Sequence, residues 1–280
     1  MGRTIFCHRE STNTSFEMIE KIRNTALEFD PITLGEMDSV KLMERVDTKY
    51  VFSATHLPKI MEGMKSEYRL LEINKVRSHR YESLYYDTED FGLFYKHHRG
   101  MLNRWKLRFR KFVDSNGLTF FEIKYKNNKD RTIKNRVRIH EIPSAIEGEA
   151  ENFLKEITPF TADMFVPKLW TICSRMTFVN KFSQERLTID TDLSFVKSNA
   201  ADNFTISFPQ MVIAEAKRDK TSSISQFIRL VRMTGVRESG ISKYCFGVYN
   251  LFPMVKKNNF KPTVNFIHKM AQTNLSSTGT

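Results

Sequence analysis

Arg104-Trp105-Lys106-Leu107-Arg108-Phe109-Arg110 alternates between cations and apolar side chains without a break. A period of two belongs to a β-strand, so Trp105, Leu107 and Phe109 share one face and the four cations share the other. Like charges side by side on a sheet repel, and each cation needs water or an anion. A solvated outer face would satisfy one such ladder, but several more follow the same rule. Lys134, Arg136 and Arg138 alternate with Ile133 and Val137, and Glu215 and Lys217 with Val212, Ala214 and Ala216. Arg45, Asp47 and Lys49 alternate with Val46, Thr48 and Tyr50; Arg186 and Asp190 with Leu187 and Ile189; Arg175 stands out of phase with Ile172 and Met176. Strands with mostly cationic polar faces predict an α+β protein whose antiparallel sheet curls around a charged interior. Arginine in such a lining suits phosphate, because the guanidinium fork binds it through two parallel hydrogen bonds.

The 280 residues carry 44 Lys and Arg against 32 Asp and Glu, a net charge of +12, which points to nucleic acid, anionic membrane or phosphorylated ligands. Cys7, Cys173 and Cys245 fall in no metal-like spacing, and so few cysteines predict a reducing compartment. No apolar run follows the first basic residues and none is long enough to span a bilayer, so a soluble, cytoplasmic protein is expected. Composition does not break along the chain. The expected organisation is a flexible arm over 1–30, one domain over 31–255 and a polar tail over 256–280.

Within the domain the pattern predicts strands over 44–52, 80–86, 104–113, 118–126, 132–140, 168–180, 186–195 and 210–217. Asp114-Ser115-Asn116-Gly117 marks a hairpin, because Asn-Gly tolerates positive φ. Helices are expected over 33–43, 56–64 and 242–251, with a short one over 16–27 in the arm. Thr88-Glu89-Asp90 and Pro143 look like helix starts, and Ser223-x-x-Gln226 like a capping box for a helix with Ile224, Phe227, Ile228 and Val231 on one face.

Seven motifs stand in one order: Asp47-Thr48-Lys49-Tyr50, Leu84-Tyr85-Tyr86-Asp87-Thr88, Leu107-Arg108-Phe109-Arg110, Phe121-Glu122-Ile123-Lys124, Leu187 to Leu193, Ile213-Ala214-Glu215-Ala216-Lys217 and Ile241-Ser242-Lys243-Tyr244. In this the chain resembles VTC domains, the catalytic domains of vacuolar transporter chaperone polyphosphate polymerases within the triphosphate tunnel metalloenzyme superfamily. The resemblance implies an antiparallel β tunnel barrel with flanking helices, ATP and polyphosphate as partners, Mn²⁺ or Mg²⁺ as cofactor, and transfer of the ATP γ-phosphoryl group to a growing chain. It implies a catalytic phosphate clamp of Lys49, Arg108, Arg110, Lys124, Lys134, Arg175, Arg186 and Lys243. Substrate contacts would come from Arg45, Lys106, Arg136, Arg138, Lys217 and Ser242, and the metal ligand would be Glu215. The regulatory SPX domain and membrane segments of eukaryotic complexes do not stand in this sequence, so regulation and translocation are not carried over.

Phosphoryl transfer asks a protein mostly for positioning and charge neutralisation, which fixed cations supply. Asp190 and Glu122 are lesser metal candidates, or carboxylates that orient arginines and balance charge. Tyr85 and Tyr86 are assigned to packing, and His97-His98 to a helix end. Where the hydrolytic branch of the superfamily has Glu-x-Glu-x-Lys, this chain has Arg45-x-Asp47-x-Lys49, which disfavours a triphosphatase, the second reading. The third is a non-catalytic module for polyphosphate or RNA. Nucleic-acid binding is not expected, because the aromatics of the cationic strands point away from the cations.

Overall fold

The computed structural model of the protein describes residues 10–38, 45–129, 131–198, 204–220, 224–256, 258–261, 264–265 and 267. In chain order the elements are α1 (Glu10–Leu27), β1 (Asp30–Ile32), α2 (Leu34–Asp38), β2 (Arg45–Ser53), α3 (Leu57–Glu62), β3 (Tyr68–Leu71), β4 (His79–Asp87) and α4 (Gly92–His98). They continue with β5 (Arg104–Phe112), β6 (Leu118–Lys126), β7 (Thr132–Ile139), α5 (Glu149–Ile157), β8 (Val166–Asn180), β9 (Glu185–Lys197), β10 (Thr205–Phe208), β11 (Met211–Asp219), α6 (Gln226–Met233) and α7 (Lys243–Leu251). The fold is α+β, with hydrogen-bonded strand order β2-β11-β9-β8-β4-β5-β6-β7 and flanking helices. Side pairings add β10 to β9 and β3 to β8; β1 runs parallel to β3, while the other registers given below are antiparallel.

The chain divides into two compact units. The first comprises residues 1–77, 176–189 and 209–238. Its core takes one face of each strand: Tyr50 and Phe52 from β2, Val212, Ala214 and Ala216 from β11, Leu187 and Ile189 from β9. The β11 residues are small where Tyr50 meets Phe227 of α6 edge to face at 5.8 Å. Ser225 caps α6 by accepting from the Ile228 N–H at 3.3 Å. The cap therefore sits at Ser225, not at Ser223, which lies outside the described residues, and Ile224 is exposed where the apolar stripe had placed it inside. Instead of a short helix over 16–27, α1 runs eighteen residues, and Arg77 donates to the carbonyls of Ala26 in its last turn and Phe29 just beyond it.

The second unit comprises residues 78–175, 190–208 and 239–280. β4 to β7 form an antiparallel meander, each strand paired to the next. Leu84, Tyr86, Leu107, Phe109, Phe121 and Ile123 cover its apolar face against Ala150 and Leu154 of α5. Asn116 (φ 52°) and Gly117 (φ 68°) turn the β5–β6 hairpin in the left-handed region, as the sequence anticipates. Two helix starts differ from expectation. The helix after Pro143 begins only at Glu149, following Gly148 at φ 59°. That after Thr88 begins at Gly92, because Phe91 adopts a left-handed conformation (φ 63°) and no acid enters the first turn. No described helix is long and apolar enough to cross a membrane.

Candidate active site

The meander puts the polar faces of β4, β5, β6 and β7 into one row: Tyr85 lies opposite Arg108, Arg108 opposite Glu122, and Glu122 opposite Arg136. Glu122 is fully buried, and Arg108 donates to its Oε2 from Nε at 2.8 Å and from a terminal nitrogen at 2.6 Å. Lys134 donates to the other carboxylate oxygen, and a terminal nitrogen of Arg110 stands 4.0 Å from Oε2. Burial alone would raise the Glu122 carboxyl, but the Arg108, Arg110 and Lys134 charges outweigh it and hold the group far below the usual carboxylate range. Burial, helped by Arg108 and Arg110, pulls Lys134 down to about 8 despite Glu122. Burial beside the like charge of Arg108 also lowers Arg110.

A second buried carboxylate repeats the device. Asp190 receives Arg175 at 2.5 and 2.8 Å and the Lys243 ammonium at 2.6 Å; these charges overcome burial and depress its carboxyl. Lys243 also donates to the Cys173 sulfur at 3.0 Å, and Lys106 donates to Ser242 Oγ at 3.2 Å. Tyr81 joins the two centres: the guanidinium of Arg110 lies 5.5 Å from its ring centroid and that of Arg175 5.1 Å. Five cations thus share two carboxylates, a net charge of +3. The carboxylates hold guanidinium and ammonium groups in place with their remaining donors oriented.

Tyr85 is not a packing residue alone, as first assigned. Its hydroxyl accepts from Arg108 at 2.7 Å; burial would raise the phenol, but the Arg108 and Arg110 charges prevail and lower it. Nor do all aromatics avoid the cationic face. Tyr81, Tyr85 and Phe120 share it, with Arg136 lying 4.5 Å from the Phe120 centroid. The expected separation holds for Leu107 and Phe109 in β5 and Phe121 and Ile123 in β6, which are buried in the core.

The remaining candidates are dispersed. Lys124 stands in register between Lys106 and Lys134, while Arg136 and Arg138 are exposed on β7. Lys49, Arg186, Glu215 and Lys217 belong to the first unit. There Glu215 lies directly across from Lys49 (3.3 Å), and Lys217 reaches Glu215 at 3.5 Å and Asp47 at 3.8 Å. Arg45 pairs through its backbone with Asp219; its side chain lies outside the described residues. Among the described residues no three His, Cys, Asp or Glu side chains gather as a metal cage. Glu215 and Asp47, each in contact with Lys217, are hard carboxylates of the type that Mg²⁺ or Mn²⁺ takes singly or in twos.

An antiparallel α+β fold carrying ordered cations in excess of their carboxylates defines an anion-binding protein. The VTC domain family matches residues 44–252, and the chain belongs to that family, which makes it a triphosphate-handling enzyme. No curated protein matches the chain. Similar solved structures include a candidate adenylate cyclase from Bacillus halodurans, 11% identical with a TM-score of 0.46, covering 75% of this chain and 97% of that one. A candidate adenylyl cyclase from Hippeastrum, described with a dominant triphosphatase activity, is 14% identical with a TM-score of 0.44, covering 75% and 98%.

Proposed function

We propose that the protein is a metal-dependent polyphosphate polymerase that moves the γ-phosphoryl group of ATP onto a polyphosphate chain. The observation that carries this reading, within VTC family membership, is the caged cluster around Glu122 and Asp190, whose charge excess suits a multiply charged phosphate chain. In the reaction a terminal oxygen of the acceptor chain bonds to the γ-phosphorus as the bond from that phosphorus to the β,γ-bridging oxygen breaks. ADP leaves with the bonding pair, and the chain is longer by one phosphate.

Arg108, Arg110, Lys134, Arg175 and Lys243 are assigned to the phosphate oxygens, where charge accumulates, and Lys106 and Ser242 to a neighbouring phosphate. Glu215, with Asp47, is assigned to Mn²⁺ or Mg²⁺, which when bound would neutralise phosphate charge. Lys124 is assigned to the same clamp, and Lys49, Arg186 and Lys217 are assigned as phosphate-binding cations of the first unit. Arg136 and Arg138 on β7 provide cations beyond those three phosphates require, which favours a second polyanion over water as acceptor.

The test is incubation of the pure protein with ATP, Mn²⁺ and a short polyphosphate primer. ADP accompanied by lengthened polymer is expected. ADP accompanied only by orthophosphate would give the triphosphatase reading its place, and binding without turnover the non-catalytic one.

A further inference from the structure

At the start of α7 three consecutive residues reach different strands. Ser242 accepts from Lys106 of β5, Lys243 donates to Asp190 of β9 and Cys173 of β8, and the Tyr244 hydroxyl donates to Asp87 at the end of β4 at 2.5 Å. Asp87 is fully buried, and its carboxylate also accepts from the backbone N–H groups of Thr88 (2.8 Å), Leu93 (2.8 Å) and Phe94 (2.9 Å). The Tyr244 ring stacks on Tyr85, with centroids 5.2 Å apart and planes 23° apart, and Tyr85 accepts from Arg108. A continuous path thus runs from Asp87 through Tyr244 and Tyr85 to Arg108, while Lys243 precedes Tyr244 by one peptide bond. Close approach of α7 is built in at Gly247, where a Cβ would stand 2.7 Å from the Phe195 side chain and 3.1 Å from Leu169.

We propose that Asp87 and Tyr244 are positioning residues: acting as one unit, they set α7 so that Lys243 meets Asp190 and the Tyr85–Arg108 pair is aligned for phosphate. The inference rests on the phosphate reading of the cluster, but not on the polymerase step. Asp87 touches no ligand-facing cation itself; its donors are three backbone N–H groups, the Thr88 hydroxyl at 3.5 Å and one phenol. A carboxylate buried this deeply is costly unless fully satisfied, and these donors satisfy it while joining α4, β4 and α7. Beyond the apolar contacts of α7, the Tyr244–Asp87 hydrogen bond ties the helix to α4 and β4, as Lys106–Ser242 and Lys243–Asp190 tie its start to β5 and β9.

Tyr244→Phe removes that hydrogen bond and keeps the stacked ring, so it leaves the packing in place; Asp87→Asn is the complementary, more disruptive variant. The probe is inorganic tripolyphosphate, titrated calorimetrically, with thermal unfolding in parallel and Tyr86→Phe as a control for losing a buried hydroxyl elsewhere in the same unit. Tyr244→Phe should weaken binding about fivefold or more with little loss of unfolding midpoint, Tyr86→Phe should bind as wild type, and Asp87→Asn combined with Tyr244→Phe should be no weaker than the worse single variant. A Tyr244→Phe protein that binds like wild type overturns the proposal. So does one whose lost binding is matched by the fraction unfolded, since a purely structural role predicts that. Wild type that binds tripolyphosphate but makes no polymer sinks the polymerase reading alone; wild type that does not bind it sinks both.

Discussion

Replacing Glu122 by Gln removes the anion at the centre of the Arg108–Arg110–Lys134 cluster with almost no change in volume. The carboxylate has no solvent exposure, and the side chains of Arg108 and Arg110 are only 11% and 13% exposed, so water cannot compensate them well. Removing one partner of a buried pair costs roughly 3–5 kcal/mol. Lys134, with its side chain 37% exposed, is screened and adds little, which favours about 3 kcal/mol here. At about 2–4 °C per kcal/mol for a chain of this size, the unfolding midpoint should fall by roughly 6–12 °C. The same substitution leaves the cluster one positive charge richer. Tripolyphosphate at about one hundred times its Kd stabilises a binding-competent fold by about 2.7 kcal/mol, enough to restore most of the loss. Scanning calorimetry with and without tripolyphosphate reads both effects. A ligand-free midpoint within about 2 °C of wild type would refute the claim that Glu122 holds the cations together.

The Glu122 carboxyl is depressed in the fold, so its stabilisation is present above the unfolded value of about 4.3 and is lost as pH falls below it. The stability gap between wild type and Glu122→Gln, followed by denaturant unfolding at several pH values, should therefore be full at pH 7 and shrink below about pH 4. Lys134 loses its proton near 8 in the fold but only near 10.5 when unfolded; affinity for tripolyphosphate should fall as pH rises through about 8, while the contribution of Lys134 to stability rises between those values. Titrations of Lys134→Arg should lack the inflection near 8, and an unchanged profile would remove Lys134 from the clamp. Glu215→Gln should abolish Mn²⁺-dependent turnover and leave the unfolding midpoint close to wild type; full activity with saturating Mn²⁺ would dismiss Glu215 as the metal ligand. Arg104→Gln with Arg138→Gln should slow chain elongation more than it weakens ATP binding, as gel analysis of the polymer alongside nucleotide titration would show.

What the amino-acid sequence determined by itself was set by local periodicity. The alternation over Arg104–Arg110 specifies a strand and its two faces whatever it pairs with, and Asn116-Gly117 specifies a turn through backbone sterics alone. The cations of β2, β5, β7 and β11 were legible for the same reason, as was a helix over 242–251, observed as α7. Tertiary structure decided what those cations do. Strand pairing within the β5–β6 hairpin puts Glu122, fourteen positions on, across from Arg108 and turns a repulsive ladder into a caged cluster. Leu84-Tyr85-Tyr86 is apolar or aromatic throughout, so nothing local marks Tyr85 as facing Arg108; pairing of β4 with β5 does. Strands β1, β3 and β10, three or four residues each, are too short to show a period and exist through their partners. Asp87 looked like the lead-in to an acidic helix start, yet burial and convergent donors made it the joint between α4 and α7. Periodicity needs only neighbouring residues, whereas burial and pairing bring together residues that are not neighbours, as far as 157 positions apart for Asp87 and Tyr244.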